Sequence, residues 1–182
     1  IAIKNIKEII NASDAIMIAR GDLAIEIGHN EVPSIQLELI KKCALLSKPV
    51  IVATQMLESM IENPSPTRAE INDIDTAIFQ GADAVMLSAE SAIGKNPTQS
   101  VKTMSKTILS TEKYKKQHIS EFKSSIDAKK NIMKSVVLSV KDLAYNPRVK
   151  AIIAFSNSGK TAKFVSSMRP SVSIITMSPN IN

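Results

Sequence analysis

Three short apolar runs in this sequence each break abruptly into residues suited to anion or metal chemistry. Ile16-Met17-Ile18-Ala19 gives way to Arg20-Gly21-Asp22, Pro49-Val50-Ile51-Val52-Ala53 to Thr54-Gln55, and Ala84-Val85-Met86-Leu87 to Ser88-Ala89-Glu90. The breaks at Arg20, Thr54 and Ser88 are each 34 residues apart. Asp22 is a hard oxygen ligand for a magnesium ion, which takes one or two carboxylates and lets substrate oxygens complete its octahedron. Gly21 lets the backbone come close to a ligand, and its amide, with that of Asp22, can receive an anionic oxygen. The Thr54 hydroxyl can donate to the same anion or relay a proton, and Ser88 and Glu90 extend the polar wall.

A second candidate is the loop Ser156-Asn157-Ser158-Gly159-Lys160-Thr161, which is rich in hydroxyls and carries one glycine and one lysine. A strand-to-helix turn of this kind cradles phosphate through helix amino-terminal amides, the positive end of the helix dipole and the Lys160 ammonium. It lacks the glycine and lysine spacing of a nucleoside-triphosphate P-loop. His29, in a loop, and His118, in a basic stretch, have no partners at metal or triad spacing and are expected at the surface. Arg20-Gly21-Asp22 is also the cell-adhesion triplet, but that use needs an exposed extracellular loop, and here a buried strand precedes it with no secretion signal.

For these residues to meet, the apolar runs must be neighbouring parallel strands. Runs of four to eight apolar residues bounded by glycine fit buried parallel strands, whose carboxyl ends converge where α/β folds bind ligands. Helices are expected between them. The first covers about Asn5 to Ile10, and Leu23 to Glu31 is expected to be a loop holding Gly28. Pro33 opens a helix to about Ser47 with a stripe of Leu37, Ile40, Ala44 and Leu45. After the loop Asn63-Pro64-Ser65-Pro66-Thr67-Arg68, Ile71, Ile74, Ile78 and Phe79 mark a helix that Gly81 can end. Asn96-Pro97 starts another. The repeat of strand, loop, helix and loop fits a (β/α)8 barrel segment or part of an open sheet.

Beyond this, residues 113–130 form a basic linker, with six lysines against only Glu121 and Asp127; residues 1–112 form a first domain and 131–182 a second. In the second, a helix from about Ile132 to Tyr145 has apolar residues at 132, 133, 136, 137, 140, 143 and 144, followed by strands at 149–155 and 173–177 around a helix ended by Pro170.

The net charge of +6 is concentrated in that lysine stretch, and aromatics make up 3% with no tryptophan, so there is little to stack on bases and nucleic acid is not an expected partner. No apolar run approaches the roughly 18 to 20 residues of a membrane helix. The single Cys43 cannot form an internal disulfide and is expected to be a buried helix residue, which suggests a reducing cytoplasm. The chain opens on Ile1 rather than methionine, as expected of an excised piece.

With these residues in hand, the chain resembles pyruvate kinase. Ala19-Arg20-Gly21-Asp22-Leu23, then Ala53-Thr54-Gln55-Met56-Leu57-Glu58-Ser59-Met60 with Pro66-Thr67-Arg68-Ala69-Glu70, then Gly81-Ala82-Asp83-Ala84-Val85-Met86-Leu87-Ser88 stand in that family's order and spacing. Ser158-Gly159-Lys160-Thr161-Ala162 resembles, more weakly, the effector-phosphate loop of the family's carboxyl-terminal domain. The resemblance implies the last three βα units of a (β/α)8 TIM barrel followed by an incomplete α/β regulatory domain. It implies a cytoplasmic glycolytic enzyme, dependent on Mg2+ (or Mn2+) and K+, that passes the phosphoryl group of phosphoenolpyruvate to ADP to give pyruvate and ATP.

By the same resemblance, Asp22 binds the divalent ion, the Gly21 and Asp22 amides hold the substrate carboxylate, and Thr54 touches that carboxylate and joins the proton-delivery network; Ser88 and Glu90, on the polar wall beside it, are expected as further catalytic residues. Arg68 sits where the family has a subunit-interface arginine, and the parent enzyme is expected to be a homotetramer with a sugar-phosphate or nucleotide effector. The family's phosphoryl-stabilising lysine, second metal carboxylate and potassium ligands would lie upstream of Ile1, so the 182 residues alone are expected to be inactive. The alternative is a non-catalytic, truncated phosphate-binding or oligomerisation module. Four positions depart from the family pattern: Ala24 and Ala89 replace glycines, Ser91 replaces a threonine, and Ile93 replaces a lysine.

Overall fold

The structure, a computed structural model, describes residues 2–118 and 132–179. The chain folds as two units, Ile1–Gln117 and His118–Asn182. In the first, helix α1 (Ile6–Ala12) precedes strand β1 (Ile16–Ala19), and helix α2 (Arg20–Ile27) and a 3-10 turn (His29–Glu31) lead into α3 (Val32–Leu45). Strand β2 (Val50–Ala53) is followed by a 3-10 turn (Glu58–Ile61) and α4 (Arg68–Gln80). Strand β3 (Ala84–Val85), the short helix α5 (Ala89–Ala92) and the long α6 (Pro97–Gln117) complete the unit.

The three strands form one parallel sheet in the order β1-β2-β3, with Ile16 to Ala19 opposite Val50 to Ala53, and Ile51 and Val52 opposite Ala84 and Val85. Parallel strands are covered on both faces, which is why their sequences are continuously apolar. Ile18, Val50 and Val52 are buried with Ile10, Ile40, Met56, Leu57, Met60 and Ile74 in one core. All three breaks therefore lie at the same end of the sheet.

The segment expected to be a loop after Asp22 is helical. Asp22 lies in the first turn of α2, where a carboxylate complements the helix dipole, and Leu23 to Glu26 are good or neutral helix formers. Gly28, at φ +89°, ends the helix. Ala24, one of the departures from the family pattern, is buried there. His29 accordingly sits in the 3-10 turn rather than an open loop, and it is exposed.

In α3 the buried face is Gln36, Leu39, Ile40 and Cys43, turned from the expected stripe of Leu37, Ile40, Ala44 and Leu45. Burial of Gln36 is possible because its side-chain amide donates to Gln80 Oε1 at 2.7 Å. Cys43 is fully buried, and its thiol is pushed up to about 11, first by burial and then by the nearby charge of Asp83. Since only the thiolate is reactive, Cys43 in the native full-length protein is expected to resist a disulfide reagent at pH near 8 and to react only after denaturation, as read by thiol titration.

Helix α4 has a full capping box: the Thr67 hydroxyl accepts the Glu70 amide, and the Glu70 carboxylate accepts the Thr67 amide at 2.7 Å. Glu70 also reaches back to the 3-10 turn, accepting the Ser59 amide at 2.7 Å and the Ser59 hydroxyl at 2.6 Å. Partial burial works to raise the Glu70 pKa, but these hydrogen bonds from Ser59 and Thr67 outweigh it and hold the carboxyl below its ordinary value. At its other end, α4 stops at Gly81, whose φ of +102° is the left-handed cap glycine adopts without strain. Thr67→Ala is expected to cost about 1 kcal/mol in urea unfolding, the usual worth of an N-cap hydroxyl.

Helix α6 continues through Lys113, Lys115 and Lys116 to Gln117, so these lysines ride on a helix of the first unit instead of opening a linker. Lys115 is not solvated at its tip: its ammonium donates to the Ile78 and Phe79 carbonyls at 3.0 and 3.2 Å, at the carboxyl end of α4, where the dipole favours a cation. It also lies 5.6 Å from the centre of the Phe79 ring. The remainder of the expected linker, residues 119–130, lies outside the described residues.

In the second unit, α7 (Ile132–Leu143), β4 (Ala151–Phe155), α8 (Lys160–Ser167) and β5 (Ser173–Met177) follow in order, with β4 and β5 parallel and in register from Ala151 opposite Ser173 to Phe155 opposite Met177. Val137, Val165 and Met168 form its buried cluster, with Ile152, Phe164 and Ile174 against it. The apolar stripe of α7 is only partly covered: Val137 is buried, whereas Ile132, Met133, Val136 and Leu143 are exposed. Among the described residues, no helix is long and apolar enough to cross a membrane.

Candidate active-site residues at the strand ends

The parallel register brings the first two breaks into contact. Gly21 donates its backbone N–H to the Thr54 hydroxyl at 2.9 Å. This joins the amino end of α2 to the carboxyl end of β2. As an acceptor in that bond, the Thr54 hydroxyl keeps its own hydrogen available to donate elsewhere. A Cβ placed on Gly21 would meet Thr54 Oγ1 at 3.7 Å, an ordinary contact, so packing among the described residues does not by itself demand glycine. That leaves room for an incoming ligand at the Gly21 backbone. Asp22 is exposed beside it, in the first turn of α2.

Thr54 and Gln55 hold an unusual backbone, with φ of +71° and +55°. For a β-branched residue such as Thr54 this is a genuine outlier, costing on the order of 1–3 kcal/mol, and such strain concentrates at functional sites. It also explains why β3 is shorter than the expected Ala84 to Leu87. Met86 still donates to the Val52 carbonyl at 3.0 Å, but β2 turns away after Ala53 and offers no further ladder partner.

The support for that turn is Arg20, which the sequence marked only as the start of the break. Its side chain is 8% exposed. Nη1 donates to Asp73 Oδ2 at 2.6 Å, Nη2 to the Thr54 carbonyl at 2.6 Å and the Gln55 carbonyl at 3.3 Å, and Nε to the Ala53 carbonyl at 3.4 Å. A planar guanidinium fork satisfies several oxygens at once, as a lysine cannot. Arg20, Gln55 and Asp73 are the members of this region that sequence reasoning missed. The available signal was an arginine directly after a buried strand, which needs a partner if its side chain is itself buried.

The third break is joined differently. Glu90 is 3% exposed, with Oε1 accepting the Leu57 amide at 3.1 Å and Oε2 the Ser88 amide at 2.7 Å. Both carboxylate oxygens are thus engaged by backbone, and the side chain fastens the loop after β2 to the end of β3. Ser88 is exposed and precedes α5, and Ala89 begins that helix without needing glycine's left-handed freedom. Ile93 is exposed.

The metal expectation can be judged from the donor set. Among the described residues no group of three or more His, Cys, Asp or Glu could hold a metal ion. An exposed carboxylate at the open end of a parallel sheet fits one protein ligand of a magnesium ion whose other positions go to water, substrate and a further carboxylate. Arg68, the first residue of α4, is exposed on an open groove with Asn72, Asp75 and Lys106. In the second unit, Ser156 to Gly159 links β4 to α8, and Lys160 and Thr161 open that helix. Gly159, the N-cap of α8, takes φ +73° and has no side chain with which to cap the helix amides.

Comparison with known proteins decides what this arrangement belongs to. Residues 1–101 match the family described as pyruvate kinase, barrel domain, and residues 134–182 match pyruvate kinase, alpha/beta domain. The chain belongs to the pyruvate kinase family. It is 46% identical over 181 residues to the pyruvate kinase of Staphylococcus saprophyticus, a match covering 98% of this chain and 30% of that protein. The pyruvate kinase of Geobacillus stearothermophilus is 47% identical over 178 residues, again covering 98% of this chain and 30% of the relative. A crystal structure of a pyruvate kinase from Cryptosporidium parvum matches with a TM-score of 0.81 at 36% identity, covering 98% of this chain and 37% of that one. The first unit is therefore a segment of the pyruvate kinase barrel and the second part of its α/β domain, and the chain spans about a third of the length of these family members.

Proposed function

We propose that this chain forms part of a cytoplasmic, glycolytic pyruvate kinase that transfers the phosphoryl group of phosphoenolpyruvate to ADP, giving pyruvate and ATP. The observation that carries this reading is the 2.9 Å hydrogen bond from Gly21 to Thr54, which assembles two strand ends into one anion-facing corner beside Asp22. There the Thr54 hydroxyl donates its hydrogen to the substrate carboxylate beside the Asp22 amide; the Gly21 amide, expected to hold that carboxylate together with Asp22, donates to Thr54 instead. Asp22 supplies one carboxylate to Mg2+ or Mn2+. That ion, when bound, supplies Lewis-acid neutralisation of the transferring group's charge. The chain's own residues orient the substrate and exclude alternatives, which is where much of phosphoryl-transfer catalysis resides. Potassium is expected to be held by residues outside these 182.

In the second unit, the amino end of α8, the Gly159 turn and Lys160 support binding of an effector phosphate, from a sugar phosphate or a nucleotide. Arg68 is proposed to lie at a subunit interface of a homotetramer. The 182 residues by themselves are proposed to be inactive. The test is pyruvate formation from phosphoenolpyruvate and ADP: turnover by the full-length protein, and none by residues 1–182 alone, is the expected result. No turnover by the full-length protein at saturating substrates would overturn it. Titration of the full-length enzyme with sugar phosphates and nucleotides tests the loop, which is expected to lose its response on Lys160→Ala.

A further inference from the structure

We propose that Arg20 is a positioning residue, which holds Thr54 and Gln55 in left-handed backbone and so sets the direction of the Thr54 hydroxyl. This rests on the reading of Thr54 as a substrate-binding group. Three successive carbonyls, those of Ala53, Thr54 and Gln55, turn toward one guanidinium at 3.4, 2.6 and 3.3 Å. That convergence depends on the positive φ of Thr54 and Gln55, because a right-handed turn at either residue swings its carbonyl off the common centre. Neither residue is glycine, so the local chain does not choose this conformation by itself. The far side of the guanidinium is anchored by Asp73 on α4 at 2.6 Å.

The neighbour in sequence completes the device. Arg20 fixes the backbone of Thr54 while Gly21, one residue on, holds its hydroxyl at 2.9 Å. The first turn of α2 thus determines both where Thr54 sits and which way its hydroxyl faces. Asp22 follows directly, so the same turn sets the spacing between the hydroxyl and the carboxylate. Arg20 touches no substrate; it acts through Thr54.

The test uses the full-length protein with Arg20→Lys, which keeps the charge and loses the fork. In its crystal structure Thr54 and Gln55 are expected to leave the positive-φ region. The kcat for pyruvate formation is expected to fall about thirtyfold, and Arg20→Lys combined with Thr54→Ala is expected to be within about twofold of Thr54→Ala alone, since residues acting as a unit are not additive. Retention of both positive φ values, or losses that multiply in the double variant, would overturn the proposal. Where Arg20→Lys does not accumulate as folded protein, Asp73→Asn, which loosens only the far anchor, carries the same two measurements. Absence of wild-type turnover would reject the functional reading instead, and the backbone comparison would still decide the role of Arg20.

Discussion

In the full-length protein, Asp22→Ala is expected to lower the kcat for magnesium-dependent pyruvate formation about a thousandfold or more. The size follows from what the side chain is proposed to do. A metal ion that polarises substrate oxygens is worth several kcal/mol of transition-state stabilisation, and about 4 kcal/mol corresponds to a thousandfold in rate. Asp22 is exposed at the start of α2, so its removal leaves no buried hole and has little effect on folding. Asp22→Asn separates charge from shape: the amide fills the same space and cannot offer a carboxylate. Both variants are expected to unfold at nearly the wild-type urea midpoint. A rate within tenfold of wild type for Asp22→Ala would remove the metal-binding role.

Glu90→Leu is expected to have the opposite signature, a large loss of stability. Glu90 joins two segments through backbone amides, that of Leu57 in a buried bond and that of Ser88 in a partly buried one. Leucine leaves the buried Leu57 amide and the partly buried Ser88 amide without their acceptor, and at about 1–3 kcal/mol for the first and less for the second the loss comes to about 3 kcal/mol. The neighbourhood has no slack to absorb it. A Cβ on Gly94 would meet the Glu90 carbonyl at 2.6 Å and Ile61 Cα at 3.2 Å, so α5 is seated directly on the 3-10 turn of Glu58–Ile61. Glu90→Gln keeps one acceptor oxygen and presents an amide to the second donor, and is expected to lose about half as much. Urea midpoints of the full-length variants, beside their kcat values, separate the two roles. A fastening carboxylate loses stability first, whereas a proton-transfer group would lose about 10²–10⁴ in kcat with the midpoint unchanged.

These two residues mark what sequence reading could and could not reach. The recurrence of apolar runs 34 residues apart was enough to place Gly21 and Thr54 together, because parallel strands of equal polarity leave their carboxyl ends no other arrangement. Gly81 and Pro97 announced a helix stop and a helix start through backbone chemistry that is local to each residue. Asp22 and Gly28 are a start and a stop signal for α2, but the same residues serve equally well in a polar loop after a strand, so the helix is not distinguished from a loop by local chemistry. The role of Arg20 was not legible: its partners Thr54 and Asp73 lie 34 and 53 residues away, and nothing local betrays two left-handed residues without a glycine. The backbone partners of Glu90 are hidden for a related reason. A carboxylate at a strand end looks alike in sequence whether it faces a ligand or, as here, the amides of Leu57 and Ser88. Lys115 belongs to the same class, since a lysine in a basic run gives no sign that it closes the end of α4.

The most direct measurement of the central claim, that Gly21, Asp22 and Thr54 form one substrate and metal corner, is a crystal structure of the full-length protein with magnesium and phosphoenolpyruvate. An Asp22 carboxylate oxygen is expected at about 2.0–2.1 Å from the ion, and the Thr54 hydroxyl within hydrogen-bond distance of the substrate carboxylate. A metal ion and substrate bound elsewhere, with Asp22 still facing solvent, would contradict it.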